Sequence, residues 1–286
     1  MTVADVVKPP SHASNFRYAF LVLSRPQRRA LQSVYAFCRA VDDAVDHADS
    51  VDTARAGLLT WRRELDRIYQ GTPETPVGML LAPVVNAYHL PREHFDELLL
   101  GVAMDIGRPR YQTFTELSRY TYRVASTVGL LCLPIFGVDG EAAQRYAIER
   151  GLSLQLTNII RDVKADAALG RIYLPLEDLA AFEYSEDDLL ACRHTPAFER
   201  LMAFQCRRAR DAHERARMLL PDPRRLLVPE IMGRTYEALL DRIEASGYRL
   251  FDKPVRLNTS TKAAIALTSW VGVRLARPAS SRERRI

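Results

Sequence analysis

The chain has 286 residues, 48% hydrophobic and 26% charged, a balance that lets one large domain bury a core. It excludes a collagen-like chain, a disordered tail protein and a membrane bundle. Forty Lys and Arg against 35 Asp and Glu leave only +5, too little for a nucleic-acid binder of this length, and no basic stripe with interleaved aromatics appears.

From the N-terminus, residues 1–13 lack a charged start followed by an apolar stretch, so they do not form a secretory signal and read as a flexible leader. Arg28 to Val45 has apolar residues at Leu31, Val34, Phe37, Cys38, Val41 and Val45, the spacing of a buried helix face, with Pro26 placed where a first turn tolerates it. Gly71 to Pro76 is a loop, and Leu90-Pro91 and Gly107 to Pro109 are breaks. Thr113-Phe-Thr-Glu116 is a capping box opening a helix towards Phe136, with Pro134 kinking or ending it. Glu141 to Asp166, stopped near Gly170, then Thr195 to Leu220 and Arg224 to Ser246 are further helices. Strict alternation is scarce. The reading is an all-α single domain over residues 14–276, followed by a basic tail at 277–286.

The two most apolar windows, Val124 to Val138 and Ala263 to Val273, are shorter than the ~18–20 residues needed to span a bilayer. The second is assigned mainly to the packed core. It and the Arg-rich tail are also candidate contacts for peripheral attachment to the inner face of the cell membrane. Four scattered cysteines, with no C-x-x-C pair, point to a reducing, cytoplasmic compartment.

Two acidic stripes carry the chemistry. On the first helix Arg39, Asp42 and Asp46 fall within about 60° of one another, with Tyr35 on the same side. Carboxylates one turn apart repel unless a cation lies between them, and the C-terminal end of a helix disfavours acids further. A solvated acidic helix end is the bland alternative. On the later helix Gln155, Asn158, Asp162 and Asp166 occupy an arc of about 80°. The rest of that helix, with Leu152, Leu154, Leu156, Ile159 and Ile160, is strongly apolar. Such a helix is buried, so its polar stripe lines an interior space, and buried carboxylates need compensation. Mg²⁺ takes one or two carboxylates plus substrate phosphates, so two facing Asp-x-x-x-Asp stripes suit two or three Mg²⁺ ions against a diphosphate.

The stretches Phe16-Arg-Tyr18-Ala-Phe20, Tyr35 to Asp46, and Leu154 through Asp166 to Pro175 resemble the squalene/phytoene synthase family of head-to-head prenyl transferases. The resemblance implies the isoprenoid synthase helical bundle around a central hydrophobic cavity. It implies Asp42 and Asp46 as metal ligands at one diphosphate and Asn158, Asp162 and Asp166 at the other. Arg39, Arg161 and Arg171 match positions near the diphosphates, and Tyr120 and Tyr236 match tyrosines at the polar mouth. Phe16 and Phe20 would flank the reacting carbons, Tyr35 and Gln155 line the cavity, and Lys253 falls where the family often carries an Arg. Two departures stand out: Ala165 replaces a Glu before the last aspartate, and Asn15 a Ser.

The C-terminal pattern around Tyr236 and Gly247 to Lys253 is most similar to bacterial hopanoid-pathway presqualene diphosphate synthases. The preferred expectation is therefore condensation of two farnesyl diphosphates to presqualene diphosphate. The alternative is a phytoene synthase using two geranylgeranyl diphosphates, and a non-catalytic family relative is the option of another class. No G-x-G-x-x-G is present, so an NADPH-dependent step has no support in the sequence. A monomer or homodimer is expected.

Overall fold

The computed structural model describes residues 22–107 and 109–275. The leader, Phe16, Phe20 and the basic tail lie outside those residues. Among the described residues every regular element is helical.

Helix α1 (Arg25–Asp46) is opened by Ser24, whose hydroxyl accepts from the Gln27 amide at 3.4 Å, and it buries Leu31, Val34, Phe37, Val41 and Val45. A side-chain oxygen there satisfies an amide that the first turn leaves unpaired. Helices α2 (Val51–Gln70), α3 (Pro76–Tyr88) and α4 (Arg92–Ala103) fill the region between the predicted breaks. Ser50 and Thr75 cap the first two. Pro83 lies in the middle of α3 and Pro134 in the last turn of α6, and Pro83 does not end its helix.

Thr113 caps α5 (Phe114–Thr121), as its capping-box spacing predicts. The helix then widens into a π-helical turn (Tyr122–Ser126) before α6 (Thr127–Phe136). No periodicity announced that turn. A π-turn inserts one residue and re-aims the side chains around it. The long α7 (Glu141–Ala168) crosses here, and Gly151 makes the crossing possible: a Cβ on it would lie 2.5 Å from the Ser126 Cα.

Two short helices, α8 (Leu176–Ala181) and α9 (Glu186–Leu190), precede α10 (Pro196–Met218), α11 (Leu227–Ala245) and α12 (Thr259–Leu275). Helix α7 is the central rod, packed on α10, α6, the π-turn and α11. Its first half joins one apolar cluster with α1 to α4 and α6, and its second half joins another with α8 to α11. Helix α12 packs on the core along one side only, through Ala266, Trp270 and Val273. Ser269 is its one fully buried residue, and Leu267 and Leu275 stand in the open.

A buried polar network ties α7 to α10 and α11. Arg150, 4% exposed, donates to Glu230 Oε1 at 2.6 Å and to His213 Nδ1 at 3.0 Å. Tyr146 donates to the same Glu230 oxygen at 2.7 Å. Since Nδ1 accepts, Nε2 carries the proton and faces Thr157 Oγ1 at 3.3 Å, so the ring is neutral. Burial, reinforced by Arg150, pushes His213 down to about 3.

Two outcomes follow for stability. The unfolded His213 binds a proton below about pH 6.5 while the folded ring refuses it down to about 3. Stability therefore falls on acidification across that window by about 1.4 kcal/mol per pH unit from this residue. Urea denaturation of His213→Gln should show a correspondingly shallower decline, and an unchanged slope would refute the assignment. Gly151→Ala should lower stability by about 1–3 kcal/mol, the usual cost of overpacking, read as a reduced denaturation midpoint.

Candidate active site

The acidic stripes sit on the last two turns of α1 and the C-terminal half of α7. The two helices do not pack extensively on each other, and α6 packs against both. They are joined at their ends by Arg171, in the loop after α7, which donates to Asp46 Oδ1 at 3.0 Å. That loop folds back because Gly170 takes φ 71°, a conformation glycine reaches without a Cβ penalty.

Electrostatics report the convergence. Burial, then Asp46 and Asp105, push Asp42 up to about 7 against the pull of Arg39. Burial and Asp162 push Asp166 up to about 7, with Arg171 opposing and Asp105 adding to the rise. Like charges that hinder each other's ionisation this strongly must be close and poorly screened.

Asp105 is the functional candidate that sequence reasoning missed. It lies just past α4 and is coupled to carboxylates of both stripes. Burial pushes it up to about 6, although Tyr173 donates to Oδ1 at 2.6 Å and Tyr120 to Oδ2 at 3.0 Å. The Tyr120 and Tyr173 rings stack at 5.3 Å, and Tyr111 leans on both. Tyr120 is thus in the site as expected, but with its hydroxyl held by a carboxylate. The sequence signal was slight: a single acid directly after the apolar run Leu98 to Met104.

The other predicted residues divide. Arg39 pairs with Asp43 at 2.7 Å rather than with the Asp42 and Asp46 stripe. Arg161 lies along Asp162, with Nε to Oδ1 at 2.8 Å. Gln155 accepts from Asn158 Nδ2 at 3.2 Å, while Asn158 Oδ1 is buried with no hydrogen-bond partner among the described residues. A cavity of about 900 Å³ beside α7 is lined by Tyr35, Asn158, Arg161, Asp162 and Tyr236. Tyr236 is 5% exposed, and burial raises its hydroxyl pKa while Arg161 opposes the rise. Lys253 does not line this cavity. Buried Phe251, whose carbonyl accepts from Lys164, anchors the turn from inside, and Lys253 is left exposed. Arg256 and Lys262 line the cavity instead. Ala165 also faces it, at the position where the family's Glu would stand.

Hard oxygen donors dominate the site, which suits Mg²⁺ over softer metals. Among the described residues no three carboxylate, imidazole or thiol groups converge tightly enough to close a metal site alone. The orphaned Asn158 Oδ1 is a further oxygen available to such an ion.

Removing the negative charge that links the stripes gives a direct check. In metal-free protein, Asp105→Asn should lower the titration midpoints of Asp42 and Asp166 from their present values of about 7. Carboxyl-detected NMR would read them, and unchanged midpoints would place Asp105 outside the shared field.

Residues 10–262 match the family model for squalene/phytoene synthase. A 15-cis-phytoene synthase from Synechocystis is 37% identical over 276 residues, covering 91% of this chain and 81% of the relative. The crystal structure of the squalene synthase HpnC from Alicyclobacillus acidocaldarius superposes with TM-score 0.78 at 32% identity, over 86% of this chain and 93% of that one. A dehydrosqualene synthase in complex with ligand superposes with TM-score 0.84 at 27% identity, over 95% of each chain. The shared region includes both acidic helices and the cavity between α7 and α11, and the chain belongs to the squalene/phytoene synthase family of prenyl transferases.

Proposed function

We propose that this protein joins two geranylgeranyl diphosphates head to head to make phytoene. The observation that carries the reading is the 37% identity to a 15-cis-phytoene synthase across nearly the whole chain. It reverses the preference for farnesyl diphosphate drawn from the C-terminal pattern. The farnesyl reading stays second, supported by the similarity to a squalene synthase and a dehydrosqualene synthase.

The geometry supports the common chemistry of both readings. Asp42 and Asp46 on one side, and Asn158, Asp162 and Asp166 on the other, would hold Mg²⁺ at the substrate diphosphates. When bound, the metal supplies Lewis-acid stabilisation of the departing diphosphate. Arg161 and Arg171 stand beside these acids, and Arg256 and Lys262 face the same cavity. Guanidinium forks bind phosphate oxygens bidentately and spread the charge that develops as the C–O bond breaks. The allylic cation left behind needs a space without nucleophiles. The double bond of the second substrate attacks the cation, and a proton is lost as a cyclopropane closes. A second ionisation releases the other diphosphate, and loss of another proton gives the C40 product without any reductant.

Purified protein with Mg²⁺ should convert geranylgeranyl diphosphate to phytoene in preference to any product from farnesyl diphosphate, as read by mass spectrometry. A C30 product alone would reverse the chain-length assignment, and no product from either would remove the enzymatic reading. Asp42→Asn and Asp162→Asn should each cost at least ~10²-fold in turnover with helical content unchanged, since metal stabilisation of the leaving group is a several-kcal/mol effect. Full activity in both would dissolve the proposed metal assignment.

A further inference from the structure

Arg110 ties its own segment to the end of α7 and to α9. Its Nη1 donates to the Pro109 and Gly170 carbonyls at 2.9 Å each, and its Nε donates to Glu186 Oε2 at 2.5 Å. None of these partners belongs to the acidic stripes. A cationic donor bonds a carbonyl more strongly than a neutral one does, and the C-terminal end of a helix attracts it further.

What Arg110 grips is the turn that presents Arg171. The chain leaves α7 through a Schellman motif: the Gly170 amide donates to the Ala167 carbonyl at 2.9 Å, and the Arg171 amide to the Asp166 carbonyl at 2.9 Å. In this motif the residue after the glycine stands beside the one five positions earlier, commonly as an apolar contact. Here those two are Arg171 and Asp166, so the end of the helix itself sets a cation beside the last acid of its stripe. Arg171 accordingly favours the charged form of Asp166, and it donates to Asp46 Oδ1 at 3.0 Å. Past Arg171 the chain runs along residues 109–112. The amides of Ile172, Leu176 and Glu177 donate to the carbonyls of Pro109, Tyr111 and Gln112 at 3.3, 2.9 and 3.0 Å. Bonds back to α7 end at Arg171, and bonds to residues 109–112 begin at Ile172. Arg110 joins the two sets by holding the Gly170 and Pro109 carbonyls with one nitrogen.

We infer that Arg110 is a positioning residue: by clamping the Gly170 and Pro109 carbonyls together, it fixes the backbone from which Arg171 reaches Asp46 and Asp166. The kinetic consequence rests on the head-to-head condensation proposed above, and it holds for either prenyl length. A guanidinium fork matches phosphate oxygens only when its plane and distance are set. A misplacement of about 1 Å by a residue remote from the chemistry costs up to ~10²-fold in rate.

Full-length Arg110→Ala, assayed with Mg²⁺ and the prenyl diphosphate that wild-type protein converts, should lose ~10- to 100-fold in kcat with KM within ~3-fold, because the misplaced group acts as the diphosphate leaves. In an Arg171→Ala background the same change should cost no more than ~3-fold further, since it acts through a side chain already gone. Without substrate, hydrogen exchange read by NMR should be at least ~10-fold faster at the Ile172 and Leu176 amides of the variant, with α10 unchanged. If the alanine variant does not fold, Arg110→Lys, which keeps the charge and loses the fork, should show the same pattern at ~3-fold or more in kcat. Rate losses that multiply across the double variant, a rise in KM alone, or wild-type exchange at both amides would overturn the proposal. Wild-type protein that converts neither prenyl diphosphate would sink the condensation and this role with it, an outcome distinct from a failed clamp, which leaves wild-type turnover intact.

Discussion

The whole arrangement turns on one unfavourable interaction. Asp42, Asp105 and Asp166 are desolvated by burial, and the charges of Asp46, Asp105 and Asp162 add to the cost of ionising them. A helical bundle tolerates this only if its packing elsewhere holds the acids in place. Arg171 on Asp46 and Arg161 on Asp162 supply part of the compensation, and two tyrosine hydroxyls on Asp105 supply more.

The scaffold resists that repulsion through α7. Its two halves enter two different apolar clusters, so the stripe it bears cannot swing away without opening both. The Arg150–Glu230–His213 network pins its middle to α10 and α11. The close approach at Gly151 and Ser126 sets it against the π-turn. The same π-turn follows directly on the helix that carries Tyr120, so the crossing and the aromatic part of the site share one local distortion.

Much of this was legible before any coordinates. The helix cap at Thr113 and the apolar spacing of α1 depend on neighbours three or four residues apart, and such local physics is written along the chain. The spacing of Asp42 to Asp46 and of Gln155 to Asp166 placed each stripe on one face by helix geometry alone. Lys253 misled because a match by position carries no information on which way a turn faces. Arg256 and Lys262, a few residues on, occupy the cavity wall.

The residues by themselves determined the all-α class, the long central helix and the two acidic faces, because helix formation and amphipathic burial are short-range in sequence. Tertiary structure alone decided that Asp105 belongs with both stripes, that Arg171 closes on Asp46 across 125 positions, and that α12 meets the core along one side only. Charge coupling and burial depend on distance through space, and no periodicity along a chain encodes which distant segments will meet.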